Sequence, residues 1–255
     1  MKEQTTYIDK NTKILDLDAY EQGNYIAFTE DKLVLTDGYH LKIDTEINFP
    51  IIRQIDHERF IIADARTKDG SNGHIYNFQG QRIKTFNAGD GIQDILVHRE
   101  KIVITYFDEG IVHGEKPNGD GLAIFDFEGN QIFGFNSKVS ELFILDCYCI
   151  CKHGANRILF YTYTDLKVCE LNLDTYQWEI FDTPDDFSGA SAITSTKDKI
   201  ILYSSYNDKR SFFSWDRNNN QVIKFGNYPG PLKGIGNGKF LTFGDLGFTI
   251  IDTKK

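Results

Sequence analysis

Residues 89–110, GDGIQDILVHREKIVITYFDEG, and residues 121–135, GLAIFDFEGNQIFGF, decide the fold. They contain four short apolar runs, Ile92–Val97, Ile102–Phe107, Leu122–Phe127 and Ile132–Phe135. Each run is rich in β-branched and aromatic residues and is bounded by Gly, Asp, Asn or a charged turn, the pattern of a strand between tight turns. Four such strands in succession make one antiparallel meander.

Weaker copies lie on both sides of it; the first is read with its last strand at Leu41–Phe49 and the fourth with its first strand at Leu142–Cys151. The second strand of each copy ends in a carboxylate, as in AFTED (Asp31), IIADA (Asp64), ITYFD (Asp108), YTYTD (Asp165), SSYND (Asp208) and LTFGD (Asp245). These acids are spaced about 33 to 57 residues apart, the period of four-stranded blades carrying loop insertions. The sixth copy has only three strands, at Leu232–Ile235, Phe240–Phe243 and Phe248–Asp252, and Thr5–Lys10 is spare at the other end. An unpaired strand edge invites aggregation, and closing the repeat removes it. The expectation is one all-β domain over residues 1–255: a six-bladed β-propeller of four-stranded antiparallel blades, closed by its N-terminal strand. Almost no helix is expected, and residues 108–121 read as an irregular loop.

The stretch IADARTKDGSNGHIYNFQGQRIKTFNAGDGI, with ITYFD and IFDFEGNQIFGF after it, resembles the NHL-type repeat, best over residues 51–136. That resemblance implies a propeller. Because propellers serve as binding scaffolds and, less often, as enzymes, it says little about activity.

Composition narrows the partners. Thirteen Tyr and 20 Phe against one Met suit pleated, half-buried surfaces. A formal charge of −9 disfavours nucleic acid and anionic membrane and favours cations or a basic protein. The N-terminus lacks an apolar leader, and four cysteines without one suggest reduced thiols in the cytoplasm.

In a propeller, the loops joining second to third strands share a face with the connections between blades. The strand-end acids should therefore crowd that face, joined by Asp90, Glu109 and Asp120. The longest such loop, DEGIVHGEKPNGDG at 108–121, carries Ile111, Val112 and His113, and long loops on rigid scaffolds are usual binding elements. The expected role is a non-enzymatic, monomeric scaffold that binds a basic protein, for example as an immunity-type inhibitor. Its expected contacts are Asp64, Asp108, Glu109, Ile111, His113 and Asp120. Turn capping by those same acids is the competing reading.

For chemistry the signals are thin. Cys147, Cys149 and Cys151 alternate along one strand and read as buried thiols rather than a zinc site. There is no G-x-S-x-G, P-loop or G-x-G-x-x-G, no Ser–His pair stands out, and no cofactor is expected. The alternative is a metal-dependent hydrolase or lactonase, its cation held by inner-strand acids such as Asp94 and Asp146.

Overall fold

A computed structural model describes residues 1–8, 12–112, 114–184, 187–197 and 199–254. It contains six four-stranded sheets, and the fold class is a six-bladed β-propeller. By contact density the chain divides into two compact units, one built on Asp146–Thr242 with short pieces from both chain ends, the other on Thr6–Leu145 with Phe243–Phe248.

The second unit holds blades one to three. Blade one comprises β2 (Ile14–Ala19), β3 (Tyr25–Thr29), β4 (Leu33–Thr36) and β5 (His40–Lys42), following the N-terminal strand β1 (Lys2–Tyr7). Blade two comprises β6 (Pro50–Gln54), β7 (Arg59–Asp64), β8 (Gly73–Asn77) and β9 (Arg82–Phe86). Blade three comprises β10 (Ile92–His98), β11 (Lys101–Tyr106), β12 (Leu122–Phe125) and β13 (Gln131–Gly134), with a helical turn α1 (Asp108–Val112) between β11 and β12.

The first unit holds blades four and five and most of blade six. Blade four comprises β14 (Cys147–His153), β15 (Arg157–Thr162), β16 (Lys167–Asn172) and β17 (Trp178–Asp182). Blade five comprises β18 (Ala192–Ser195), β19 (Lys199–Tyr203), β20 (Ser211–Asp216) and β21 (Gln221–Asn227). Blade six pairs β22 (Lys233–Gly236), β23 (Lys239–Gly244) and β24 (Gly247–Asp252) with β1 as its outer strand. The spare N-terminal segment therefore completes the last blade, as the strand count required. Of the expected span Thr5–Lys10, Asp9 and Lys10 lie outside the described residues.

Alternation places one row of each strand against the next blade. Ile26, Phe28 and Val34 of blade one pack on Ile52, Phe60, Ile62 and Tyr76 of blade two. Leu159, Tyr161 and Val168 of blade four meet Ile200, Leu202, Phe213 and Trp215 of blade five. Tyr203 and Phe212 meet Phe240 and Ile251 of blade six.

Three local expectations need correction. The fourth strand of blade one ends at Lys42 rather than Phe49, because Ile43 turns inward and is 1% exposed. Blade four begins at Cys147 rather than Leu142, since Asn136 ties the preceding segment down by accepting from the Ile144 amide (2.8 Å) and donating to the Ile144 carbonyl (2.9 Å). The 108–121 loop is not wholly irregular: Asp108 accepts from the Glu109 amide at 2.7 Å at the start of α1.

Candidate functional site

The six expected contacts do not form one set. Asp64 is 9% exposed. Its carboxylate accepts from the amides of Asn48 (2.8 Å), Phe49 (3.1 Å) and Arg66 (3.2 Å), pinning the entry to blade two against the loop between β7 and β8. Asp120 is 1% exposed and accepts from Gln131 Nε2 (2.6 Å), the Ser137 amide (3.1 Å) and the Ser137 hydroxyl. Gly134 makes room for it, since a Cβ there would lie 1.9 Å from Asp120 Oδ2. Ile111 is buried at 4% exposure. These three side chains hold loops in place. His113 lies outside the described residues.

Asp108 and Glu109 are exposed, and Glu109 shares Arg66 with Asp90 where the loops of blades two and three meet. Two glycines permit that meeting. A Cβ on Gly110 would lie 2.3 Å from the Asp90 carbonyl oxygen, and one on Gly91 (φ +71°) would lie 2.7 Å from the Gly110 Cα. Helical turn α1 therefore sits directly on the 89–91 turn. Arg66, from the loop between β7 and β8 of blade two, spans the junction. Its Nη1 reaches Glu109 at 2.7 Å, its Nε reaches Asp90 at 3.2 Å, and its guanidinium lies 5.4 Å from the Phe107 ring centroid. Asp90 also accepts from the Thr67 amide at 2.8 Å. Two carboxylates and an aromatic face thus converge on one guanidinium at the protein surface.

A second cationic centre lies on the inner strands. Arg53 of β6 is 4% exposed. Nη1 donates to Asp16 of β2 at 2.7 Å, Nη2 to Asp94 of β10 at 2.5 Å, and Nε to the Ile95 carbonyl at 2.7 Å. Each carboxylate also caps a backbone amide, Asp16 that of Ile52 and Asp94 that of Ile95, both at 2.7 Å. Burial works against the charge on Arg53, but the two carboxylates outweigh it and hold the group protonated. A metal ion on Asp94 would have to displace this guanidinium. Among the described residues no cluster of three metal-ligating side chains occurs. The inner-strand signal was present in the sequence, as an arginine directly after the apolar pair Ile51–Ile52 in IIRQI.

Blades four and five carry a Ser–His–Glu alignment that sequence reading missed. His153 Nδ1 lies 2.7 Å from Ser195 Oγ, and its Nε2 lies 3.7 Å from Glu170 Oε2. Arg157 (2.5 Å) and Arg217 (3.2 Å) donate to the two oxygens of Glu170. Burial holds the imidazole pKa below its ordinary value, although Glu170 pulls the other way. The residues are 42 and 17 positions from His153, which is why no local motif marks them. Ser195 is 3% exposed, so the hydroxyl is out of reach of a substrate. Cys147, Cys149, Cys151 and Cys169 are buried thiols not joined in disulfides, and burial raises the Cys151 thiol pKa to about 12. They are packing residues.

No family model matches the chain, and no curated protein matches it in sequence. Solved structures do match in shape. The extracellular domain of the one-component system BT4673 from B. thetaiotaomicron superposes with a TM-score of 0.59 at 15% identity, covering 99% of this chain and 34% of that one. Virginiamycin B lyase from Staphylococcus aureus gives 0.54 at 10% identity, covering 98% and 99%. Kluyveromyces lactis Hsv2 gives 0.57 at 15% identity, covering 93% and 74%. The chain spans about a third of the BT4673 domain. At these identities the likeness establishes the fold alone, a β-propeller, and leaves activity open.

Proposed function

We propose that this propeller is a non-enzymatic binding scaffold that takes an arginine of a basic partner at the junction of its second and third blades, through Asp90, Asp108, Glu109 and Phe107. The single observation that carries this reading is Arg66, a guanidinium already seated between Glu109 and Asp90 over the Phe107 face. Geometry that suits one guanidinium suits another, and Arg66 stands in for the partner's side chain. Rigid blades lower the ordering cost of association, and surplus rim acids accelerate encounter with a cationic partner. Asp64 and Asp120 contribute indirectly by fixing the two loops. Burial of Ser195 supports a binding role over hydrolysis, and the four thiols not joined in disulfides support a reducing, cytoplasmic setting.

The test is binding of a fluorescent oligoarginine peptide and its oligolysine counterpart. Planar guanidinium recognition predicts tighter binding of oligoarginine. The Asp108→Lys/Glu109→Lys variant should lose it, and Arg66→Ala, which vacates the seat, should tighten it. Equal binding of both peptides, or weaker binding by Arg66→Ala, would overturn the assignment.

A further inference from the structure

The blades are not packed alike at one position. Two residues before the turn that joins third to fourth strand, at Asn77, Asp126, Asn172 and Asp216, stand Ile75, Ile124, Glu170 and Ser214. The register places each of them mid-row in its sheet. Ile75 and Ile124 are large, apolar and 1% and 0% exposed. Glu170 reaches Arg157 and Arg217 and, with Arg157, Asn172, Gln177, Trp178 and Glu179, lines a polar cleft of about 490 Å³. Ser214 is small, and a cleft of about 310 Å³ with a different lining opens beside it within the first unit.

The lining is chemically divided. Ile201, Ser214 and Ile223 form one row across β19, β20 and β21, with Phe225 in the next, giving an apolar floor. Ile223 is 49% exposed at the lip. The remaining wall is Thr196, Lys199, Thr253 and Lys254. Lys254 Nζ is positioned by Asn237 Oδ1, and the Thr253 hydroxyl donates to the Gly238 carbonyl. Asp216 faces Lys199 across the strand pair and accepts from the Asn218 amide at 3.0 Å. Mostly apolar clefts of roughly 300–1,000 Å³ with a few converging polar groups are the usual form of a small-molecule site.

We propose that this cleft binds a small amphipathic carboxylate, with an acyl chain or ring on Ile201, Ile223 and Phe225 and the carboxylate between Lys199 and Lys254. The charge assignment follows from contrast. The molecule carries −9 overall, a field that repels anions, so a pair of lysines at the mouth of an apolar cleft supplies local attraction where the whole molecule offers none. A cationic head group would meet both ammonium groups, and a neutral one would leave them unused.

The test uses decanoate, decanol and decylamine as competitors of anilinonaphthalene sulfonate, an amphipathic aromatic anion that fluoresces in apolar surroundings. Saturable binding at one site is expected, displaced by decanoate in preference to the other two. Lys199→Glu/Lys254→Glu should weaken decanoate by about tenfold or more, the scale of a lost charge-assisted contact. Ser214→Leu should abolish binding by filling the cleft without lowering the melting temperature. Ile223→Asp, at the exposed lip, gives a second readout that does not depend on repacking and should also lose decanoate. Unsaturable binding, decanol competing as well as decanoate, or a Ser214→Leu variant that binds like the parent would each overturn the proposal.

Discussion

Replacing Arg53 with Met tests whether the inner strands of blades one to three are clasped by charge. The side chain is 5% exposed, and Asp16 and Asp94 are 15% and 14% exposed, so its removal strands two carboxylates in a largely dry setting. Breaking a buried pair by deleting one partner costs about 3–5 kcal/mol, most of it the penalty of the uncompensated charge. Here two charges lose one partner, and the carbonyl of Ile95 loses its donor. Each kcal/mol shifts the melting temperature of a chain this size by roughly 2–4 °C, so a fall of about 6–20 °C is expected. The diagnostic is the triple variant Arg53→Met/Asp16→Asn/Asp94→Asn. It removes all three charges, while each asparagine oxygen can still accept from the Ile52 or Ile95 amide. If stranded charge is the main cost, the triple variant recovers more than half of the loss, measured by urea unfolding at pH 7. A single variant that costs under about 1 kcal/mol, or a triple variant no better than the single one, would refute the clasp.

Three further outcomes follow from named contacts. Asp120→Ala leaves Gln131, Ser137 and its amide without their buried acceptor, and should cost about 2–4 kcal/mol in urea unfolding; a loss under about 0.5 kcal/mol would show that water replaces the carboxylate. His74 and His153 are held below the ordinary imidazole value of 6.5 by burial. The unfolded chain then takes up protons first, so stability is full above about pH 6.5 and falls as the pH drops through that value. His74→Gln/His153→Gln should flatten the fall between pH 7.5 and 5.5, and an unchanged profile would assign it to other groups. Because a guanidinium already occupies the carboxylates at Asp94, melting curves with and without EDTA should coincide; a chelator-dependent drop of several degrees would restore the metal-dependent reading.

By itself the sequence determined the strands, the blade count and the closing strand. These depend on local rules, a period of two along each strand and Gly, Asp or Asn at each turn, and both are written in consecutive residues. The spare segment before Ile14 and the missing fourth strand at the C-terminus carried the closure, because an unpaired edge is costly wherever it occurs. Tertiary structure alone decided what each acid does. Asp64, Asp108 and Asp120 read alike in sequence, yet two are buried against amides from Asn48, Phe49 and Ser137 while the third stays exposed. The partners of Arg53 lie 37 and 41 residues away, and Ser195 lies 42 from His153. Charge and hydrogen bonding act through space, and folding brings these groups within 3 Å of one another with no spacing along the chain to announce it.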